Sequence, residues 1–321
     1  MKLKHLGLAV LIATLSQMTG AAEKMRLGHG LPENHPVHLA VTKFADLVNE
    51  RSKGEIEIKI FANGILGGER EMLEQVQNNV LEITKASASP LETFSAAYKV
   101  FNLPFVFRDR EHFFKVLESP VGESILASSQ KSGFVGLAYY DSGARSFYGK
   151  KPINSADDLK GSKIRVQQSP TTIKMIQALG GTPTPMAWGE VYSALQAGVV
   201  DMAENNVTAL TNGRHGEVCK FYSETEHQIV PDVLVISAMR WSSLKKSQQE
   251  IIKQAAVESF QFQKKLWAEA EKSEREKALA LGVKFNTVNK DAFVAKVKPM
   301  IEEERKNPAL AKLLDEIKAV K

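Results

Sequence analysis

The chain has 321 residues, 43% of them hydrophobic and 25% charged, the balance of a soluble globular protein long enough for two domains. Its net charge of +5 is small and scattered, with no basic run and no aromatic-basic stripe, which excludes nucleic acid as a partner. The single cysteine, Cys219, excludes a disulfide framework within one chain and reads as a small buried hydrophobe.

At the N-terminus Lys2, Lys4 and His5 precede a mostly apolar stretch, residues 6–15. The stretch is too short to span a bilayer. Gly20, Ala21 and Ala22 follow as small residues, so residues 1–22 read as a secretory signal cleaved near Ala22 and the mature protein as exported and periplasmic. A strand is expected over 25–30 and a helix over 38–52, with Leu39, Phe44, Leu47 and Val48 toward a core. The run EIEIKIF, residues 55–61, alternates charge with isoleucine and predicts a half-buried strand. Gly67 and Gly68 punctuate before a helix over 69–78, and another strand follows over 81–84. An apolar turn at 103–107 and a helix carrying Phe113, Phe114 and Leu117 continue the core. A strand over 134–140 leads into the turn at Asp141, where Gly143 permits a tight reversal and Arg145 emerges.

Residues 163–206 read as strand, helix, strand, helix, strand. Ser169 is the expected N-cap of the first helix and Pro170 its first residue. Gly180 and Gly181 end that helix, and Gly198 ends the second. Such units have parallel strands, and ligands bind beyond the strands' carboxyl ends. Arg165 lies near one such end and Asn205 at another. A guanidinium there can grip a carboxylate with two parallel hydrogen bonds. Gln167 and Gln168 follow Arg165 directly, so one of them faces the same way, and an amide both donates and accepts. Trp188 could stack on the apolar face of a sugar or pack the hinge.

A strand over 233–237 is expected to return the chain to the first domain. The pattern over 247–281 is helical, with no proline or glycine. Ile251, Ile252, Ala255, Phe260, Phe262 and Leu266 mark its buried face. The heptads do not persist, so a long helix bridging two domains fits better than a coiled coil. No solenoid repeat and no low-complexity tract is present.

Five segments together carry a resemblance: LPFVFRD (103–109), GARSFY (143–148), DLKGSKIRV (158–166), PMAWGEVYSALQAGVVDMAEN (185–205) and TEHQIVPDVLVIS (225–237). In this order and spacing the chain resembles the DctP-type solute receptors of TRAP transporters, over essentially its whole mature length. The resemblance implies an α/β fold of two domains that closes on its ligand like a periplasmic-binding-protein clamp. Twisted sheets flanked by helices are expected, with the long helix near the C-terminus lying between the domains. The expected boundaries are 23–142 plus about 231–270 for the first domain and 143–230 plus about 271–321 for the second. The resemblance also implies no catalysis and no cofactor, an organic acid as ligand, and the small and large subunits of a TRAP membrane permease as partners. A monomer is expected.

By the same resemblance Arg165 pairs with the ligand carboxylate, Arg145 assists, and Asn205 contacts the ligand. Met202 stands where the family often has glycine. Glu71 or Glu69 could accept a ligand hydroxyl. His29, His35 and His38 invite a metal reading, but no cysteine or acidic partner completes the set and no metal is expected. His35 is expected instead at the cleft mouth, beside Glu33 and Asn34. The amides and the stretch YYDSGARSFY resemble receptors for hexuronates such as glucuronate and galacturonate. A C4-dicarboxylate would ask for a second cation and fewer amides. A sensory module presenting its ligand would use the same clamp. An exported hydrolase would need a nucleophile motif such as G-x-S-x-G, which the chain lacks.

Overall fold

The computed structural model describes residues 22–321, so the secretory signal lies outside the described residues apart from Ala22. Among the described residues eleven strands form two sheets. In chain order they are β1 (Glu23–Gly28), β2 (Ile56–Phe61), β3 (Ile83–Ser87), β4 (Phe134–Tyr140), β5 (Ala144–Gly149), β6 (Lys163–Val166), β7 (Thr182–Pro185), β8 (Met202–Asn205), β9 (Phe221–Ile229), β10 (Asp232–Ser237) and β11 (Lys284–Thr287). The first sheet runs β2-β1-β3-β10-β4 and the second β11-β9-β5-β8-β6-β7. Helices cover both, giving two α/β lobes.

β10 returns from the second lobe to the first, antiparallel to both β3 and β4. Its side chains alternate between two cores: Leu234 and Ile236 join Phe44 and Trp267, whereas Val233 and Val235 join Phe101 and Phe113. A strand buried on both faces reads as a continuous apolar run, as VLVI does. In the second lobe β6 lies parallel to β7 and β8, as the strand-helix-strand pattern requires. Ile164 and Val166 enter one core of that sheet, and the pleat therefore turns Arg165 to the opposite face.

The helix Pro170–Ala178 starts where its cap dictates. The Ser169 hydroxyl accepts from Thr172 N at 3.0 Å. Pro170 fills the first position, where a missing N–H costs nothing. The long helix spans Lys246–Ala280, 35 residues, or about 52 Å at ~1.5 Å per residue. Its early turns pack Ile252, Ala255 and Phe260 on the first lobe, and Ala278 packs on the second. Two sequence expectations on helix faces do not hold. Leu39 and Phe262 are exposed, at 43% and 38%, because each lies off the stripe that its helix turns inward. The last helix, Pro308–Ala319, packs Leu310, Leu314 and Ile317 into the first lobe's core. The sequence-based boundary assigns that segment to the second domain; its apolar stripe draws it back across.

The crossing from β4 to β5 is tightly held. Gln263, on the long helix, accepts from Asp141 N and donates to Asp141 O, both at 2.8 Å. Gly143 has φ +63°, and a Cβ there would lie 3.1 Å from Trp267 Nε1, so glycine answers both a backbone and a packing demand.

Candidate functional site

A cavity lies between the lobes where strand ends converge. Ser87 ends β3, Asn205 ends β8, Asp232 begins the antiparallel β10, and Met186 follows β7. Arg165, Arg145, Asn205, Gln167, Gln168, Trp188 and His35 all line this cavity. Seven candidates scattered over the sequence are thus brought together at strand ends, where ligands of parallel sheets bind.

Arg165 is 2% exposed. Its Nη2 and Nε donate to Met186 O at 2.9 and 3.3 Å. Its Nη1 is buried without a hydrogen-bond partner. No carboxylate forms an ion pair with it among the described residues. Burial lowers its pKa below the ordinary arginine value, the signature of a cation short of a counter-charge.

Arg145 is placed differently. Its Nε and Nη2 donate to the two Glu204 carboxylate oxygens at 2.6 and 2.9 Å, Nη2 also to Glu204 O at 2.8 Å, and Nη1 to Asn205 Oδ1 at 2.8 Å. The pair is buried, and burial alone would raise the Glu204 pKa, but Arg145 and His227 outweigh it and hold the carboxylate down at about 2. Arg145 therefore spends most of its donors on Glu204 and holds Asn205 through Nη1. The Asn205 Oδ1 also accepts from Asn206 N at 2.9 Å, which turns the amide nitrogen free for other acceptors.

On the first lobe stands a cluster of which sequence reasoning named only Glu69. Lys85 is 2% exposed and its Nζ contacts Glu69 Oε1 at 3.0 Å and Asp232 Oδ2 at 3.1 Å. Burial opposes the ammonium charge, but the two carboxylates overcome it and the Lys85 pKa is raised. Ser87 N also donates to Glu69 Oε1 at 3.1 Å. Glu69, Lys85 and Asp232 all line the cavity, and each carboxylate keeps a second oxygen. Glu71 does not line it; it is exposed. Two residues on a helix are about 200° of rotation, so Glu69 and Glu71 cannot face the same space. Only Glu69 was the reachable member of the pair named from sequence.

Both glutamines line the cavity, and Gln167 Oε1 accepts from Ser87 Oγ at 3.3 Å across the lobes. His35 caps its helix through Nδ1, which accepts from Val37 N at 3.2 Å. Its Nε2 stands 3.4 Å from Thr208 Oγ1, again across the lobes. Burial pushes the His35 pKa down to about 3, so the ring is neutral. His29 likewise accepts from Leu31 N at 3.2 Å and meets His38 at 3.0 Å. Both rings are thus committed to loop geometry, and no cluster with metal-ligand character occurs among the described residues. Trp188 packs on His215, with ring centroids 4.9 Å apart, and presents its remaining surface to the cavity. Cys219 is fully buried, and burial pushes its thiol up to about 12.

Residues 27–307 match the family described as bacterial extracellular solute-binding protein, family 7. The chain belongs to this family. A solute-binding protein from Bradyrhizobium with bound galacturonate is 43% identical, with a TM-score of 0.90 over 92% of this chain and 99% of that one. One from Xanthobacter autotrophicus, also with galacturonate, is 40% identical, with a TM-score of 0.91 over 92% and 100%. One from Anaerococcus prevotii with glucuronate is 37% identical, with a TM-score of 0.90 over 92% and 97%. The protein is a TRAP-type solute receptor and not an enzyme. The family works in the periplasm, binds small organic acids and serves TRAP membrane permeases. Among the described residues no helix is long and apolar enough to cross a membrane.

Proposed function

We propose that this receptor binds a hexuronate, galacturonate or glucuronate, and hands it to a TRAP permease of one small and one large subunit. The observation that carries the reading is the pairing of opposite chemistries in one cavity. Arg165 offers buried N–H donors without a partner, which suits a carboxylate. Glu69 and Asp232 offer acceptor oxygens beyond those used by Lys85, which suit hydroxyl groups. Asn205, Gln167 and Gln168 add groups that both donate and accept. Arg145 is paired with Glu204 and supports the site through one bond that fixes Asn205. The three solved relatives bind galacturonate or glucuronate, which supports the same class.

A C4-dicarboxylate fits this cavity poorly. Its second carboxylate would face Lys85, whose charge two carboxylates already overcompensate, and like charges in a buried site are costly. The protein acts as an exported monomer with its signal removed near Ala22. The test is a thermal-shift and calorimetric comparison of ligand-free refolded protein with galacturonate, glucuronate and succinate. A uronate at ~1,000 times its Kd adds about 4 kcal/mol of apparent stability, and succinate adds none. Arg165→Ala weakens uronate binding by about 2–4 kcal/mol, or roughly 30- to 1,000-fold. A shift with succinate and none with either uronate would overturn the reading.

A further inference from the structure

A second cavity adjoins the first at the mouth of the cleft. The two share Leu31, Glu69, Ala187 and Trp188 in their walls. The outer one has a volume of about 210 Å³. Its remaining wall is almost all glycine: Gly30, Gly64, Gly67 and Gly68 from the first lobe and Gly189 from the second. At Gly30 and Gly189 neither packing nor backbone demands glycine. A Cβ at either position would meet nothing within 4 Å, and neither has positive φ. Open space therefore lies in front of both.

We propose that this outer cavity is a second sugar subsite, so that the receptor accepts a hexuronate that is glycosidically linked to another sugar ring. The proposal rests on the uronate reading of the inner cavity. Arg165 anchors the carboxylate at the inner end through a guanidinium fixed to Met186 O. Trp188 lies two residues further along the same segment and belongs to both walls, so the space in front of Arg165 opens to the outer cavity along the indole. A substituent there leaves past Trp188. The indole is held rigidly: it packs on His215 at 4.9 Å, and a Cβ on Gly213 would stand 2.8 Å from it. A rigid aromatic face suits the apolar face of a pyranose, which buries C–H surface without ordering a flexible side chain. Glu69, at the junction, and Asn63, whose side chain is exposed at the outer wall, supply hydroxyl partners. The glycine backbone leaves room for the ring.

The experiment is calorimetry with two sugar pairs: galacturonate with α-1,4-digalacturonate, and glucuronate with cellobiouronate. At least one disaccharide binds within tenfold of its own monosaccharide, or more tightly. Gly189→Phe, which fills the outer cavity, weakens that disaccharide at least tenfold and changes the monosaccharide by less than twofold. Gly30→Phe, from the opposite wall, gives the same split and serves if the first variant fails to fold. Wild-type protein that binds a monosaccharide but takes both disaccharides more than 100-fold more weakly overturns the subsite and leaves the uronate reading standing. So does a Gly189→Phe variant that affects both members of a pair equally or neither. If no monosaccharide and no disaccharide binds, the uronate reading itself falls and the subsite with it.

Discussion

Single residues here are set by what surrounds them more than by type. His35 is a buried helix cap whose pKa falls from the ordinary 6.5 to about 3. Burial is the first cause, and the nearby Lys85 charge adds to it. In the folded state the ring stays neutral while the unfolded chain takes up a proton as pH falls below about 6.5. The unfolded state thus binds more protons, so the stability His35 contributes is present above about pH 6.5 and is lost as pH falls toward 3. Asparagine keeps an acceptor for Val37 N and is a good N-cap, but it does not titrate. In His35→Asn the loss of unfolding free energy between pH 7 and pH 5 should be smaller than in wild type by about 2 kcal/mol. Urea unfolding of the ligand-free protein at the two pH values measures this; an unchanged difference would mean that His35 is protonated in the folded state. The legibility of the site divides along the same line. Arg165 and Asn205 are legible as candidates because strand ends in a parallel sheet are where ligands bind. Lys85 is not, since lysine in a strand reads as solvent-facing, and its partners Glu69 and Asp232 lie 16 and 147 positions away.

Elements were more legible than sites because their signals are local. The alternation of EIEIKIF, the Ser169-Pro170 start and the proline-free run of the long helix each specify an element with nearby residues only. What the local pattern does not carry is a contact from another lobe. The helix Pro170–Ala178 shows this. Ser169 Oγ both accepts from Thr172 N and donates to Glu92 Oε1 at 2.9 Å, and Thr171 N donates to the same Glu92 oxygen at 2.8 Å. Glu92 comes from the first lobe. A carboxylate at a helix N-terminus satisfies orphan N–H groups and meets the positive end of the dipole, while Asn102 Nδ2 supports its other oxygen at 3.1 Å. Ser169→Ala removes the cap and one Glu92 bond together. It should lower unfolding free energy by about 1–2 kcal/mol, more than a cap facing water alone would cost. A double mutant with Glu92→Gln tests the coupling: additive losses would show that the cap and the interlobe bond act independently.

At the scale of the whole molecule, function requires that two lobes meet with little between them. Besides the bonds of Glu92 to Ser169 and Thr171 and of His35 to Thr208, two further sets of contacts join them. In one set, Lys99 from the first lobe and Lys174 from the second share Glu304, at 2.8 and 2.7 Å; these partly exposed pairs tether without contributing much stability. At the mouth, the lobes approach through small groups. A Cβ on Gly68 would stand 3.4 Å from Ala187 Cβ, and Ser87 reaches Gln167 nearby. The closed form thus depends on an absent side chain at Gly68. Its φ of −72° admits any residue, so Gly68→Val does not strain the backbone; apart from a poorer N-cap for the helix Glu69–Gln77, it acts on closure. The Val methyl groups would fall where Ala187 sits, and the Glu71 carboxylate, 2.4 Å from the added Cβ, is a flexible end that can move aside. A ligand gains affinity only in proportion to the fraction of receptor that can adopt the closed state. Gly68→Val should therefore weaken uronate binding at least tenfold with Arg165 and its neighbours untouched. In solution scattering, wild-type protein contracts when saturated with uronate, whereas the variant at its own saturation contracts less. Full contraction at wild-type affinity would show that the mouth contact is incidental and that the ligand and the remaining interlobe bonds set the closed geometry.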